Sequence, residues 1–175
     1  LNPHFAEAYS NLGIISKDLG KVEEAESLQR KAIELNPDLT EAHFNLGNVL
    51  RDLGNLKEAE LSTRKAIELN PNFADAHLSL GNILRDLGKL QEAELLQKKA
   101  IELNPHFAEA YSNLGIILKD LGKVEEAELL QRKAIELKSD LTEAHYILGK
   151  MLLRQGKYFE GIKELKEGEG FIEFD

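Results

Sequence analysis

Between residues 39 and 53 the apolar side chains fall at Leu39, Ala42, Leu46, Val49, Leu50 and Leu53, spaced by threes and fours. That spacing puts them on one face of an amphipathic helix. A second apolar face follows at Leu56, Ala59, Ala66, Ile67 and Leu69. The same order of polar and apolar positions then returns along the chain, and prolines stand at 3, 37, 71 and 105, one every 34 residues. A fixed period of this size marks stacked helix-turn-helix units. Numbering each unit from 1 to 34 gives repeats at 6–39, 40–73, 74–107, 108–141 and 142–175, the last degenerate. Helix A is predicted from about the residue before position 1 to position 14, and helix B from about position 17 to 30. The expected fold is all-α, a right-handed solenoid of about five helix pairs forming one array over residues 1–175. Residues 1–5 read as the tail of a missing upstream repeat, so the chain is expected to be part of a longer protein.

The punctuation fits this division. Gly20, Gly54, Gly88, Gly122 and Gly156 all stand at position 15, where helix A must stop and turn; glycine takes the left-handed cap conformation without steric cost. Asp38 with Glu41, Asn72 with Asp75, and Asp140 with Glu143 have the spacing of an N-cap and its reciprocal partner. Glycine recurs at position 8, as Gly13, Gly47, Gly81, Gly115 and Gly149, and alanine at positions 20 and 27. A mid-helix glycine costs up to about 1 kcal/mol against alanine, so its recurrence predicts a close helix crossing. Residues 1–43 and 103–145 differ only at Ser16/Leu118, Ser27/Leu129, Asn36/Lys138 and Pro37/Ser139, which points to duplication of a three-repeat block. In the fifth repeat the two alanines become Gly161 and Gly168, and residues 168–175 show no helical pattern, so an irregular end is expected there.

Composition narrows the function. The chain is 42% hydrophobic and 30% charged, with no apolar run near the ~18 residues of a membrane span. Cysteine is absent, which excludes disulfides and thiolate metal sites and suits a reducing compartment; a cytoplasmic location is the expectation. The net charge of −9 argues against a nucleic-acid binder, which needs a basic stripe. His43, His77 and His145 share position 4 of successive or near repeats. Helices packed ~8–10 Å apart hold such residues too far from one another to ligate one ion, so no metal is expected. No catalytic constellation and no glycine-rich phosphate loop is present, and neither an enzyme nor a cofactor is predicted.

The remaining polar residues are ordered. Glu26/Arg30, Glu60/Arg64, Glu94/Lys98 and Glu128/Arg132 are i, i+4 pairs expected to solubilise the outer face of helix B. Lys17/Asp18, Arg51/Asp52, Arg85/Asp86 and Lys119/Asp120 form a mixed ladder at positions 12 and 13 of helix A. Asn11, Asn45 and Asn113 share position 6, and Asn48 and Asn82 share position 9. Asparagine is a poor helix former, so its mid-helix recurrence needs a reason, and the three-residue spacing puts these amides on one face. They either bind a ligand or hydrogen-bond one another between helices.

Tyr9, Leu12, Gly13, Ala25, Ala32 and Pro37, with Tyr111, Leu114, Gly115, Ala127 and Ala134, match the tetratricopeptide-repeat (TPR) pattern, and the chain resembles that family over nearly its whole length. It departs at position 11, which is never aromatic, and at position 24, where Gln29, Thr63, Gln97 and Gln131 stand in place of a ring. The core is therefore expected to be aliphatic, with lighter contacts in helix B. The resemblance implies a superhelix whose concave groove, lined by helix A, binds a protein or peptide. The asparagine array is similar to the ladder in the TPR domain of O-linked N-acetylglucosamine transferases, whose amides hold a peptide backbone. By that likeness the peptide-binding residues are Asn11, Asn45, Asn48, Asn82 and Asn113, with Ser79 a weak rung and Arg51, Asp52, Arg85 and Asp86 adding side-chain preference. The family's carboxylate clamp needs basic residues at positions 2, 5 and 6, and none is present. The alternative expectation is a structural module that stacks end to end with other copies through open repeat faces. No nucleic acid and no membrane is expected as partner.

Overall fold

The structure is a computed structural model and describes residues 3–169. Within them each repeat supplies two helices: α1 (Pro3–Asp18) and α2 (Val22–Leu35), α3 (Thr40–Asp52) and α4 (Leu56–Leu69), α5 (Ala74–Asp86) and α6 (Leu90–Leu103), α7 (Ala108–Asp120) and α8 (Val124–Leu137), α9 (Thr142–Arg154) and α10 (Tyr158–Glu169). Among the described residues the fold is all-α, an array of helix pairs, as expected. From α3 to α9 the A helices occupy positions 1–13, and α4, α6 and α8 occupy positions 17–30, as the periodicity predicts. Among the described residues no helix is long and apolar enough to cross a membrane.

The glycine at position 15 makes each turn. In the first, φ of Gly20 is +76°, its N–H donates to Lys17 O (2.8 Å), and Lys21 N–H donates to Ser16 O (2.8 Å). These two bonds satisfy carbonyls that the helix end would leave open. The turn at Gly122 repeats the pattern, with Lys123 N–H donating to Leu118 O (2.8 Å).

The opposite junction departs from expectation. The predicted caps at Asp38, Asn72 and Asp140 do not form. Helix A starts at position 1, so the N-cap residues are Leu39, Phe73 and Leu141, which make no side-chain cap bond. Asp38 lies one residue too early to reach the free N–H groups. The loop is closed by other groups instead. Asn36 Oδ1 accepts from Asp38 N–H and Asn70 Oδ1 from Asn72 N–H, both at 3.2 Å. The position-4 side chain ties the loop to helix A: His43 Nε2 donates to Pro37 O (2.8 Å), His77 Nε2 to Pro71 O (2.9 Å) and His145 Nε2 to Ser139 O (3.0 Å).

Clustering of contacts divides the chain into two compact units, Leu1–Lys89 and Leu90–Asp175. In the first, α1 folds back on α2 and α3 on α4, while α2 packs on α3 and α4 on α5. Leu46, Leu50, Ala59 and Ile83 form its core, with Ile33 and Leu87 against them. In the second, α6 packs on α7, α7 pairs with α8 and α9 with α10. Its core joins Leu114, Leu118, Ala127 and Met151, with Ile101 of α6 among the residues packed on them. Both cores are aliphatic, as position 11 predicts.

Position 24 holds more than light contacts. Gln29 and Gln131 are fully buried. Gln131 Nε2 donates to Ser112 O (2.9 Å), and Ser112 Oγ donates to Gln131 Oε1 (3.0 Å). Gln29 makes the same pair of bonds with Ser10. Each glutamine thus locks helix B to helix A of its own repeat with both amide ends satisfied. The glycine at position 8 makes room for it: a Cβ on Gly115 would stand 2.7 Å from Gln131 Nε2 and 3.2 Å from Ala127 O. In the last repeat a Cβ on Gly149 would meet Gly161 O at 2.8 Å. Gly161 therefore belongs to a closer backbone crossing of α9 and α10. Gly168 is helical as well, and a Cβ there would come within 3.0 Å of Thr142 O. The irregular end does not begin at residue 168; residues 170–175 lie outside those described.

On the outer side the helix-B ion pairs also join repeats. Glu60 accepts from Arg64 on its own helix (2.8 Å) and from Lys89 in the next repeat (2.8 Å). Burial pushes the Glu60 carboxyl up, yet the bonds from Lys89 and Arg64 outweigh it and hold the group below the ordinary carboxylate value. Glu94 accepts from Lys98 and Lys123, and Glu128 from Arg132 and Lys157.

Candidate functional site

Spacing by three and four puts positions 2, 6, 9 and 13 of each A helix on one face. In the first unit this face is carried by α1, α3 and α5, with α3 touching both of the others. Asn11 is exposed, Asn45, Asn48 and Asn82 are half-buried, and Ser79 is buried. The structure links several of these residues across helices. Asn45 Nδ2 donates to Ser10 Oγ (3.3 Å), extending the buried Ser10–Gln29 pair from α2 through α1 to α3. Ser79 Oγ donates to Asn48 Oδ1. Asn82 is engaged as well.

The charged ladder is also crosswise. Lys17 Nζ lies 3.0 Å from Asp52, and Arg51 Nε 2.7 Å from Asp86. The base at position 12 thus pairs with the acid at position 13 of the next repeat, and not with its neighbour in sequence. Arg85 reaches Asp86 at 3.4 Å. Two depressions open on this face. One of about 280 Å³ is flanked by Ser10, Asn11 and Glu41. The other, about 170 Å³, is lined by Lys17, Asp18, Asn45 and Asn48.

In the second unit the face lies on α7 and α9 and has a different character. Asn113 is half-buried and, among the described residues, has no hydrogen-bond partner. The rungs beside it are apolar: Ile116 at position 9 of α7 and Ile147 at position 6 of α9. Lys119 meets Asp120 at 3.4 Å on its own helix. Lys150 Nζ stands 4.4 Å from the centroid of the Tyr146 ring. Behind the face, His145 Nδ1 meets Glu164 Oε2 at 2.7 Å, whereas the corresponding Nδ1 of His77 is buried without a partner.

All ten expected contact residues therefore lie on A helices, nine of them in the first unit and Asn113 in the second. Sequence reading missed the bond between Ser10 and Gln29, and put Lys17 in the charged ladder without its partner Asp52. A signal for the first was present: Gln at position 24 coincides with Ser at position 5 in both copies of the duplicated block.

Profiles described as tetratricopeptide repeat match residues 6–39, 40–73, 63–94 and 107–139, and one described as TPR repeat matches 81–122. No curated protein matches the chain by sequence. Among solved structures, pilF of Pseudomonas aeruginosa is 23% identical, with 96% of this chain and 78% of that chain covered and a TM-score of 0.87. The thermophilic TPR protein TTC0263 of Thermus thermophilus is 22% identical, covering 93% and 91%, with a TM-score of 0.80. YrrB, described as a TPR protein with an unusual peptide-binding site, is 24% identical, covering 95% and 86%, with a TM-score of 0.70. The period of 34, the helix pairs it produces and profiles that tile residues 6–139 agree: the chain belongs to the tetratricopeptide-repeat proteins.

Proposed function

We propose that this chain is a non-catalytic scaffold whose A-helix faces bind an extended polypeptide by its backbone. The observation that carries this is how Asn45 and Asn48 are left. Asn45 spends its Nδ2 on Ser10, which leaves Oδ1 as an acceptor, and Asn48 spends its Oδ1 on Ser79, which leaves Nδ2 as a donor. The two stand three residues apart beside a depression of about 170 Å³. A peptide backbone offers one donor and one acceptor per residue, so this pair matches it without regard to side chain. The likeness to the asparagine ladder of O-linked N-acetylglucosamine transferases supports the same reading. YrrB supplies fold-level support, since its structure is described by a peptide-binding site.

The test is calorimetric titration with a dodecapeptide selected on the wild-type protein by phage display. Converting Asn45, Asn48 and Asn82 to alanine removes bonds of about 0.5–1.5 kcal/mol each, so affinity is expected to fall about tenfold to a thousandfold. Unchanged affinity with a lowered melting temperature means the asparagines only join helices.

One observation favours a second reading, end-to-end stacking. Leu12 and Ile15 of α1, with Leu19 in the turn after it, are large apolar side chains left exposed. Such a patch invites contact, and a head-to-tail contact need not close. Sedimentation over a range of concentrations decides it: growing mass supports stacking, and a constant monomer mass removes it.

A further inference from the structure

In the first unit, position 12 of one A helix and position 13 of the next meet as opposite charges, Lys17 with Asp52 and Arg51 with Asp86. In the second unit α7 also adjoins α9, and the same register sets Lys119 against position 13 of α9, where the acid has become Arg154. Two cations stand where the ladder elsewhere closes on itself. Among the described residues Lys119 pairs only with Asp120 of its own helix, at 3.4 Å. Arg154 is exposed and meets no carboxylate among the described residues. Lys150, four residues before Arg154 and so on the same face, is also exposed and, among the described residues, lies over the Tyr146 ring.

We propose that Lys119, Lys150 and Arg154 form a carboxylate-recognition site on the α7–α9 face, and that its occupant is an acidic segment of an extended peptide. The proposal rests on the reading of the A-helix face as peptide-binding and adds the chemistry of the peptide. Charge complementarity carries it. Among the described residues Asp120 is the one carboxylate paired with any of these three cations, in a chain whose net charge is −9. Like charges placed together repel unless a counter-charge joins them. An arginine guanidinium takes a carboxylate through two parallel hydrogen bonds, and Arg154 has its donors free. The Tyr146 ring beside Lys150 supplies a flat apolar surface for the peptide's own side chains. The overall negative charge would repel an acidic peptide at a distance, so any preference for one must come from a local site.

Fluorescence anisotropy with labelled decaglutamate, decalysine and an uncharged Gly/Ser decapeptide tests this on the whole chain. Decaglutamate is expected to bind more tightly than the other two, with affinity that falls as salt rises. Arg154→Asp restores the ladder's charge pattern and leaves the core untouched. It is expected to weaken decaglutamate binding about tenfold or more, the scale of a charge-assisted hydrogen bond, while the melting temperature stays level or rises. Lys150→Gln should weaken it less, and Lys65→Gln on the B helix α4, where the lysine pairs with Glu68, should not. Decaglutamate binding no better than decalysine, or unmoved by Arg154→Asp, overturns the acidic preference. The backbone-binding reading survives that outcome if the phage-selected dodecapeptide still responds to the asparagine substitutions. If neither peptide responds to its substitutions, the A-helix face is not a peptide site at all, and both fail.

Discussion

α1 and α7 carry almost the same residues yet live in different surroundings. Leu12 is 51% exposed and its counterpart Leu114 4%; Ile15 is 54% exposed and Ile117 fully buried. α7 is covered by α6, whose Ile101 packs into the core around Leu114 and Leu118. α1 has no such cover among the described residues. The two duplicated stretches thus show that a repeat's apolar face is a demand which its own sequence cannot meet. Its neighbour meets it, which is why repeat arrays gain stability at interfaces between units. The polar lock behaves differently. Ser10–Gln29 and Ser112–Gln131 form the same bonds in both settings, because both partners belong to one repeat.

The largest effect should come from cutting the same residue in both copies. Ile117→Ala is expected to cost about 2–5 kcal/mol, the range for a buried isoleucine. Ile15→Ala should stay within about 0.5 kcal/mol, as for other exposed sites. Urea denaturation of the two variants checks this, and equal losses would break the comparison.

Next is the lock. Gln131→Leu removes both bonds to Ser112 and leaves its buried Oγ without the Gln131 acceptor, while Ser112 O keeps its bond within α7, at an expected cost of about 1–3 kcal/mol. Gln29→Leu should cost a similar amount. A large difference between the two would show that the lock, like the apolar face, depends on the adjacent repeat.

Hydrogen exchange sharpens the contrast without mutation. Amides of residues 108–121 are expected to exchange about tenfold or more slowly than the matching amides of residues 6–19, since local opening is easier where fewer apolar contacts are lost. Equal protection would mean that the array opens only as a whole.

The smallest effect concerns one of the four differences between the copies. Lys138 replaces Asn36 and lies 2.7 Å from Glu109. Its hydrogen bond is the main reason the Glu109 carboxyl is held below the ordinary carboxylate value. A carboxyl lowered in the folded state stabilises at neutral pH, and that contribution is lost as pH falls through the carboxylate range. Lys138→Asn should therefore lower the melting temperature slightly at pH 7, and the gap should close in acid. A gap that persists at low pH would assign the difference to the loop and not to the ion pair.

Most of the candidate site was legible as a face but not as a set of bonds. The three-residue spacing of Asn45 and Asn48 is enough to put both amides on one side of α3. Which end of each amide remains free depends on Ser10 and Ser79, each more than 30 residues away. The ladder at positions 12 and 13 read as neighbouring charges, and only packing showed that Arg51 passes over Asp52 to Asp86. The expected caps failed for a similar reason. Asp38 had the right chemistry, but the helix start was set by the fit of the whole loop, which Asn36 and His43 close.

The period, the helix-A ends at the glycine turns and the close crossing at position 8 were determined by the sequence alone. Each rests on backbone conformation and on patterns shorter than one repeat, which any copy of the motif expresses by itself. The tertiary structure decided which apolar faces are covered, which asparagine atoms stay free, and that the charged ladder closes crosswise between repeats. Those outcomes depend on what the adjacent helix places opposite, and a single helix carries no record of its neighbour.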